Sequence, residues 1–211
     1  CWSYKMDCFM KYAFLIPMGE QMVPQMLFTQ WVPFQEWLAT NEDGKIFSLC
    51  SSNQIVGRNT LITNSNPYDP FEFLKTVEWI IWVDADIKFS LPQMQQLMSI
   101  DEPVVSGWYI SSPNHRNSLV GYVKEHPEIL NAEEIQMRDE IFEVDFVASG
   151  FVKIHSSMYQ QMEFPFYYSP KQNDTWINED ITFFKNMYEQ TGTKPKVVRD
   201  LKVGHIKWVT I

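Results

Sequence analysis

Apolar residues in this chain fall in short unbroken runs separated by polar stretches. Tyr12-Ala-Phe-Leu-Ile-Pro17 is one such run, closed by a proline, and Glu78-Trp-Ile-Ile-Trp-Val83 is the clearest. Runs without polar alternation suit strands covered on both faces. Lys45–Cys50, Pro103–Ile110, Phe142–Val147, Phe151–Ile154, Lys196–Arg199 and Leu201–Val203 predict further strands. Between them the apolar spacing shifts toward the helical period. Met26, Leu27, Trp31, Phe34 and Leu38 predict a helix over 24–39, kinked or split at Pro33. Arg58–Asn64, the stretch after Ser90 and Ser157–Met162 predict three more. The last helix is expected from Asn178 to Gln190, with Ile181, Phe184, Met187 and Tyr188 on its apolar face. Ser90 and Asn178 are placed to cap, Pro92 fits a first turn, and Gly192 ends the last helix. Residues 111–140 and 164–178 read as loops. Strands alternating with helices predict an α/β sandwich with a mostly parallel sheet.

Length narrows this to one domain over residues 1–211, with residues 1–11 expected to be disordered or derived from cloning. The hydrophobic share of 45% supplies a core, and 15% of residues are aromatic. Seventeen Lys and Arg against 26 Asp and Glu give a net charge of −9. That excludes a general nucleic-acid binder and argues against an anionic membrane surface. It leaves room for a phosphorylated ligand whose charge a divalent cation offsets. No apolar run approaches the ~20 residues of a membrane span. The three cysteines, Cys1, Cys8 and Cys50, are odd in number and lack metal-type spacing, so a reducing, cytoplasmic location is expected.

Four clusters carry chemistry. In Trp82-Val83-Asp84-Ala85-Asp86, two carboxylates stand where a buried strand ends. Ligands of α/β sheets bind at that end, and paired hard oxygens suit Mg²⁺ or Mn²⁺. The bland alternative is a turn with a solvated aspartate. Gly204-His205-Ile206 could add an imidazole, which tilts a two-carboxylate site toward Mn²⁺. Alone, it is an ordinary histidine. Asn178-Glu179-Asp180 opens a helix, where acids complement the helix dipole without further purpose. The aromatics before it (Phe166, Tyr167, Tyr168, Trp176) could instead wall a sugar-sized pocket, with one carboxylate as general base. At a helix N-terminus such a base is expected to have a lowered pKa. Gly57-Arg58-Asn59 places a phosphate-forking arginine at a strand-to-helix junction, or simply starts a helix. Gly107 and Gly150 either admit a ligand closely or form bulges.

Taken in order, Ile16-Pro17, Gly57-Arg58-Asn59, Trp79–Asp86, Val104–Tyr109, Val144–Val152, Asn178–Asp180 and Gly204-His205 resemble the GT-A-fold glycosyltransferases, most like glycosyltransferase family 2. The resemblance spans roughly 12–207, and the order of the motifs carries it. It implies a Rossmann-related α/β/α sandwich with a small second, antiparallel sheet, and a metal-dependent, inverting transferase. That enzyme would move a sugar from a UDP- or GDP-sugar to a carbohydrate or other hydroxyl acceptor. By this likeness Asp84, Asp86 and His205 hold Mn²⁺ or Mg²⁺, and Asp180 is the base with Glu179 as its understudy. Pro17, Arg58, Asp84, Gly107 and Trp108 line the nucleotide-sugar side, and Gly150, Phe151 and Trp176 the acceptor side. The absence of a Gln-x-x-Arg-Trp motif argues against a processive polysaccharide synthase.

Two rivals remain open. A haloacid-dehalogenase-type phosphatase also carries Asp-x-Asp after a buried strand, but here Lys88 stands where that family has Thr or Val. A non-catalytic nucleotide- or carbohydrate-binding module of the same fold is the other.

Overall fold

The computed structural model describes residues 9–18, 30–66, 68–112, 117–124, 127–172 and 175–206. β1 (Met10–Met18) is followed by α1 (Val32–Asn41), β2 (Gly44–Cys50), α2 (Gln54–Ile62) and, after a 3-10 turn, β3 (Val77–Val83). Next come β4 (Ile87–Lys88), α3 (Leu91–Ser99), β5 (Val104–Trp108), β6 (Ile110–Ser112), β7 (Asn117–Val123), β8 (Pro127–Asn131) and α4 (Ala132–Gln136). β9 (Ile141–Glu143), β10 (Phe151–His155), α5 (Ser156–Gln160), β11 (Lys171–Gln172), β12 (Thr175–Trp176), α6 (Glu179–Thr191), β13 (Lys196–Lys202) and β14 (Gly204–His205) complete it.

The principal sheet has seven strands in the order β2-β1-β3-β10-β5-β13-β9. β1 runs parallel to β2 and β3, and β13 parallel to β5. β10 and β9 run against them, so β10 is an antiparallel insert between β3 and β5. Helices cover both faces, which is why the central strands carry no polar alternation. On one face Phe14 and Ile81 pack with Phe34 and Leu38 of α1 and Met94 and Leu97 of α3. On the other, Leu15, Ile80 and Trp82 meet Leu61 and Ile62 of α2, Tyr159 of α5 and Phe183 and Phe184 of α6. Each such fully buried side chain contributes roughly 1.5–3 kcal/mol. Among the described residues no helix is long and apolar enough to cross a membrane.

The capping residues act as expected. Ser90 accepts from the Gln93 amide while Gln93 returns the bond to the Ser90 amide. The Asn178 side-chain Oδ1 accepts from the backbone amides of Asp180 and Ile181, and Gly192 ends α6 at φ 71°. Several boundaries differ. β1 already includes Met10, 2% exposed, so residues 10 and 11 belong to the sheet. Pro33 sits in the first turn of α1, where its missing N–H has no intrahelical partner to lose; residues 24–29 of the expected helix lie outside the described residues. α2 starts at Gln54 because Asn53 caps it through the Val56 amide.

Residues 111–140 are not simply loop. β6, β7 and β8 form an antiparallel sheet of three strands, followed by α4. One flank of that sheet is solvated, so its sequence reads as polar. Phe142–Val147 pairs only as far as Glu143, and Phe146 then makes a lone bridge to Gly121. Residues 164–178 contain the small β11–β12 hairpin, and 196–202 is one strand with a register shift.

At the end of the sheet where β1 and β3 begin, Lys153 of β10 is buried. Its ammonium lies 4.1 Å over the Trp79 ring and donates to the Met98 carbonyl at 3.1 Å and to that of Ile100, satisfying the end of α3.

Candidate functional site

The opposite end of the sheet gathers Asp84, Asp86, Glu179, Asp180 and His205. Asp84 is the first residue beyond β3, and its N–H donates to the Gly150 carbonyl at 2.9 Å. The antiparallel insert thus brings the start of β10 against the finish of β3. Three residues after Asp84, β4 begins and pairs with β14, setting His205 opposite Ile87. The Ile206 N–H donates to the Asp86 carbonyl at 2.9 Å, and His205 Nε2 lies 3.0 Å from Asp86 Oδ2. Its Nδ1 faces the Ile110 carbonyl at 3.4 Å. The capped start of α6 adds Glu179 and Asp180. A cleft of about 710 Å³ gathers Pro17, Asp84, Asp86, Glu179, Asp180 and His205.

Arg58 is not on the cleft wall. It is fully buried beneath it, and Gly57 lines the cleft in its place. Arg58 Nη2 is 2.7 Å from Asp84 Oδ1, and Nη1 is 3.5 Å from the Ser149 carbonyl. The guanidinium lies 5.2 Å from the Trp82 ring and 5.6 Å from that of Tyr167. Burial opposes its charge, but the Asp84 and Asp180 carboxylates hold its pKa above the ordinary value. The arginine is therefore a fixed buried cation, not a phosphate ligand at the surface.

Other expected residues also fall elsewhere. A Cβ on Gly107 would stand 2.8 Å from both the Leu201 carbonyl oxygen and Phe151, so this glycine serves close packing inside the sheet. The Trp108 side chain is buried and donates Nε1–H to the Arg199 carbonyl at 2.7 Å. Phe151 is wholly buried, 5.7 Å from the Phe89 ring. None of the three lines the cleft. Gly150 lies just under it: a Cβ there would be 2.5 Å from Tyr109 Oη and 2.9 Å from Asp84 Oδ2. Trp176 stands in β12, and its side chain lies outside the described residues.

The electrostatics reverse one expectation. Burial pushes the Asp180 carboxyl above its ordinary pKa, against the opposing pull of Arg58 and Ser149, so it is not lowered as a helix N-terminus alone would predict. Burial raises Asp84 as well, with Arg58 opposing. Glu179 is raised by burial and then by Asp180.

The expected metal trio separates into two pairs, Arg58 with Asp84 and His205 with Asp86. Among the described residues no group of three His, Cys, Asp or Glu is arranged to hold a metal. The donor set of Asp86 and His205 nonetheless fits an open cation site. Asp86 is half-exposed, and its Oδ2 stands 3.0 Å from His205 Nε2, so a carboxylate oxygen and an imidazole nitrogen meet at the cleft. Mg²⁺ and Mn²⁺ commonly take one or two protein ligands and complete their shells with phosphate oxygens and water.

Tyr109 was not foreseen. It follows β5 directly, lines the cleft and lies 5.0 Å from the His205 ring. Burial holds its phenol well above the ordinary pKa, so it is neutral. Its position just past a strand's carboxyl end was the available signal, but the neighbouring Gly107 and Trp108 drew the expectation.

No protein-family description matches the sequence, and no curated protein matches it. Among solved structures the chain is similar to the crystal structure of A197 from STIV, with a TM-score of 0.57 and 20% identity over 94% of this chain and 87% of that one. At that identity the likeness concerns the fold alone.

Proposed function

We propose that this protein is a GT-A-like glycosyltransferase that moves a sugar from a UDP- or GDP-sugar to a hydroxyl acceptor, with inversion. The observation that carries the reading is that Asp86 and His205 line one cleft together with Asp180, a buried carboxyl at a helix start. Asp86 and His205 would hold Mn²⁺ or Mg²⁺, which supplies positive charge for a diphosphate. Asp84, tied to Arg58, shapes the floor between them. Pro17 lines the nucleotide side. Asp180 takes the acceptor proton as the acceptor oxygen bonds to the anomeric carbon. The bond from that carbon to the diphosphate oxygen breaks, and the nucleoside diphosphate leaves with the electron pair. A base with a raised pKa suits this role, because it accepts a proton more readily than an ordinary aspartate. Cytoplasmic location belongs to the same proposal.

The test is a thermal-shift series with UDP, GDP and their sugars, with and without Mn²⁺. A shift that needs both metal and nucleotide, followed by turnover of the matching sugar donor, supports the reading. Binding without turnover leaves a non-catalytic module, and no shift with any of them overturns the proposal.

A further inference from the structure

Tyr109 is buried as a ring, 5% exposed, yet it borders the cleft. Among the described residues its hydroxyl has no hydrogen-bond partner, although carboxylates surround it. Gly150 leaves the space it occupies, since a Cβ there would stand 2.5 Å from Oη. His205 braces the ring from one side at 5.0 Å. The result is a firmly held O–H with no partner among the described residues, in the cleft that Asp86, His205 and Asp180 also line. A neutral donor held among acceptors and left unpaired is an incomplete polar arrangement, which a ligand oxygen would complete.

We propose that the Tyr109 hydroxyl donates a hydrogen bond to the sugar of the bound donor, and so sets which sugar the cleft accepts. This rests on the reading of the cleft as a nucleotide-sugar site. With the diphosphate on the Asp86–His205 side and the acceptor at Asp180, the group between them is the transferred sugar. A saccharide hydroxyl or ring oxygen offers the lone pair.

The experiment is titration calorimetry of wild type and Tyr109→Phe with UDP, GDP, UDP-glucose and GDP-mannose, all with Mn²⁺. The variant should bind the free nucleotide within twofold of wild type and the corresponding sugar nucleotide about tenfold more weakly. Its Tm should match wild type, because the ring stays in place. Equal loss for nucleotide and sugar nucleotide, or no loss for either, overturns the inference while leaving the nucleotide site standing. A wild-type protein that binds none of the four overturns the reading of the cleft, and the tyrosine's role with it.

Discussion

The guanidinium of Arg58 meets Asp84 Oδ1 at 2.7 Å with no part of the arginine side chain exposed, so the floor of the cleft is a closed ion pair. Breaking one half of such a pair strands the other charge. Arg58→Met should therefore destabilise the protein by about 3–5 kcal/mol, a fall in Tm of roughly 10 °C. Arg58→Met/Asp84→Asn together should recover part of that loss. Equal Tm values for Arg58→Met and wild type would remove the ion pair from any account of stability.

Asp86 and His205 touch one another but are only partly buried, so their loss should spare the fold. Asp86→Ala and His205→Ala are each expected to keep Tm near wild type while abolishing the Mn²⁺-dependent part of the nucleotide-induced shift. Chelation with EDTA should reproduce this in the wild type. A variant that still shifts fully with Mn²⁺ would show that the cation is held elsewhere.

Asp180 allows opposite effects on stability and activity. Its carboxyl is raised by burial, so the folded state favours the protonated form. Stability from this group is present at low pH and is lost as pH rises through the folded pKa. Asp180→Asn should thus be more stable than wild type at neutral pH, with the gap opening as pH rises above the usual carboxylate range. The same variant should lose about 10²-fold or more in turnover. Denaturant titration at several pH values, beside a donor-turnover assay, checks both. A destabilised Asn variant would contradict the first expectation, and near-normal turnover the second.

Lys153 gives a pH dependence of the other sign. Burial lowers its ammonium from 10.5 to about 8. Between those values the folded chain has released the proton and the unfolded chain still holds it, so stability from this group rises with pH. The difference between wild type and Lys153→Met should grow by about 2 kcal/mol from pH 7.5 to pH 10 in favour of wild type. Parallel pH profiles for the two proteins would show that the ammonium is solvated rather than buried.

Much of this was legible in the sequence because it is local. An apolar run ending in Asp84, a serine three residues before Gln93 and an asparagine before Glu179 each specify a strand end or a cap by short-range chemistry. What was not legible is long-range. Arg58 finds Asp84 across 26 residues, and spacing alone does not say whether an arginine at a helix faces solvent or core. Gly107, Trp108 and Phe151 lie on strands covered on both faces, where burial erases the alternation that would tell inward from outward. The polar stretch that became β7 is a half-solvated strand whose buried positions include a serine, Ser118, donating to the Leu130 carbonyl at 2.6 Å.

The seat of β10 between β3 and β5 also bears on how the molecule is made. β3 emerges from the ribosome long before residues 151–155, yet its flank has no permanent neighbour until they arrive. Until then the most apolar strand of the chain presents bare amides and carbonyls, a template for any other strand nearby. A nascent or truncated chain that stops short of β10 would leave that edge open to pairing. The arrival of β10 covers that edge, and the turn that leads into it delivers the Gly150 carbonyl to the Asp84 amide. One strand in this way both covers the β3 edge and brings the cleft floor together.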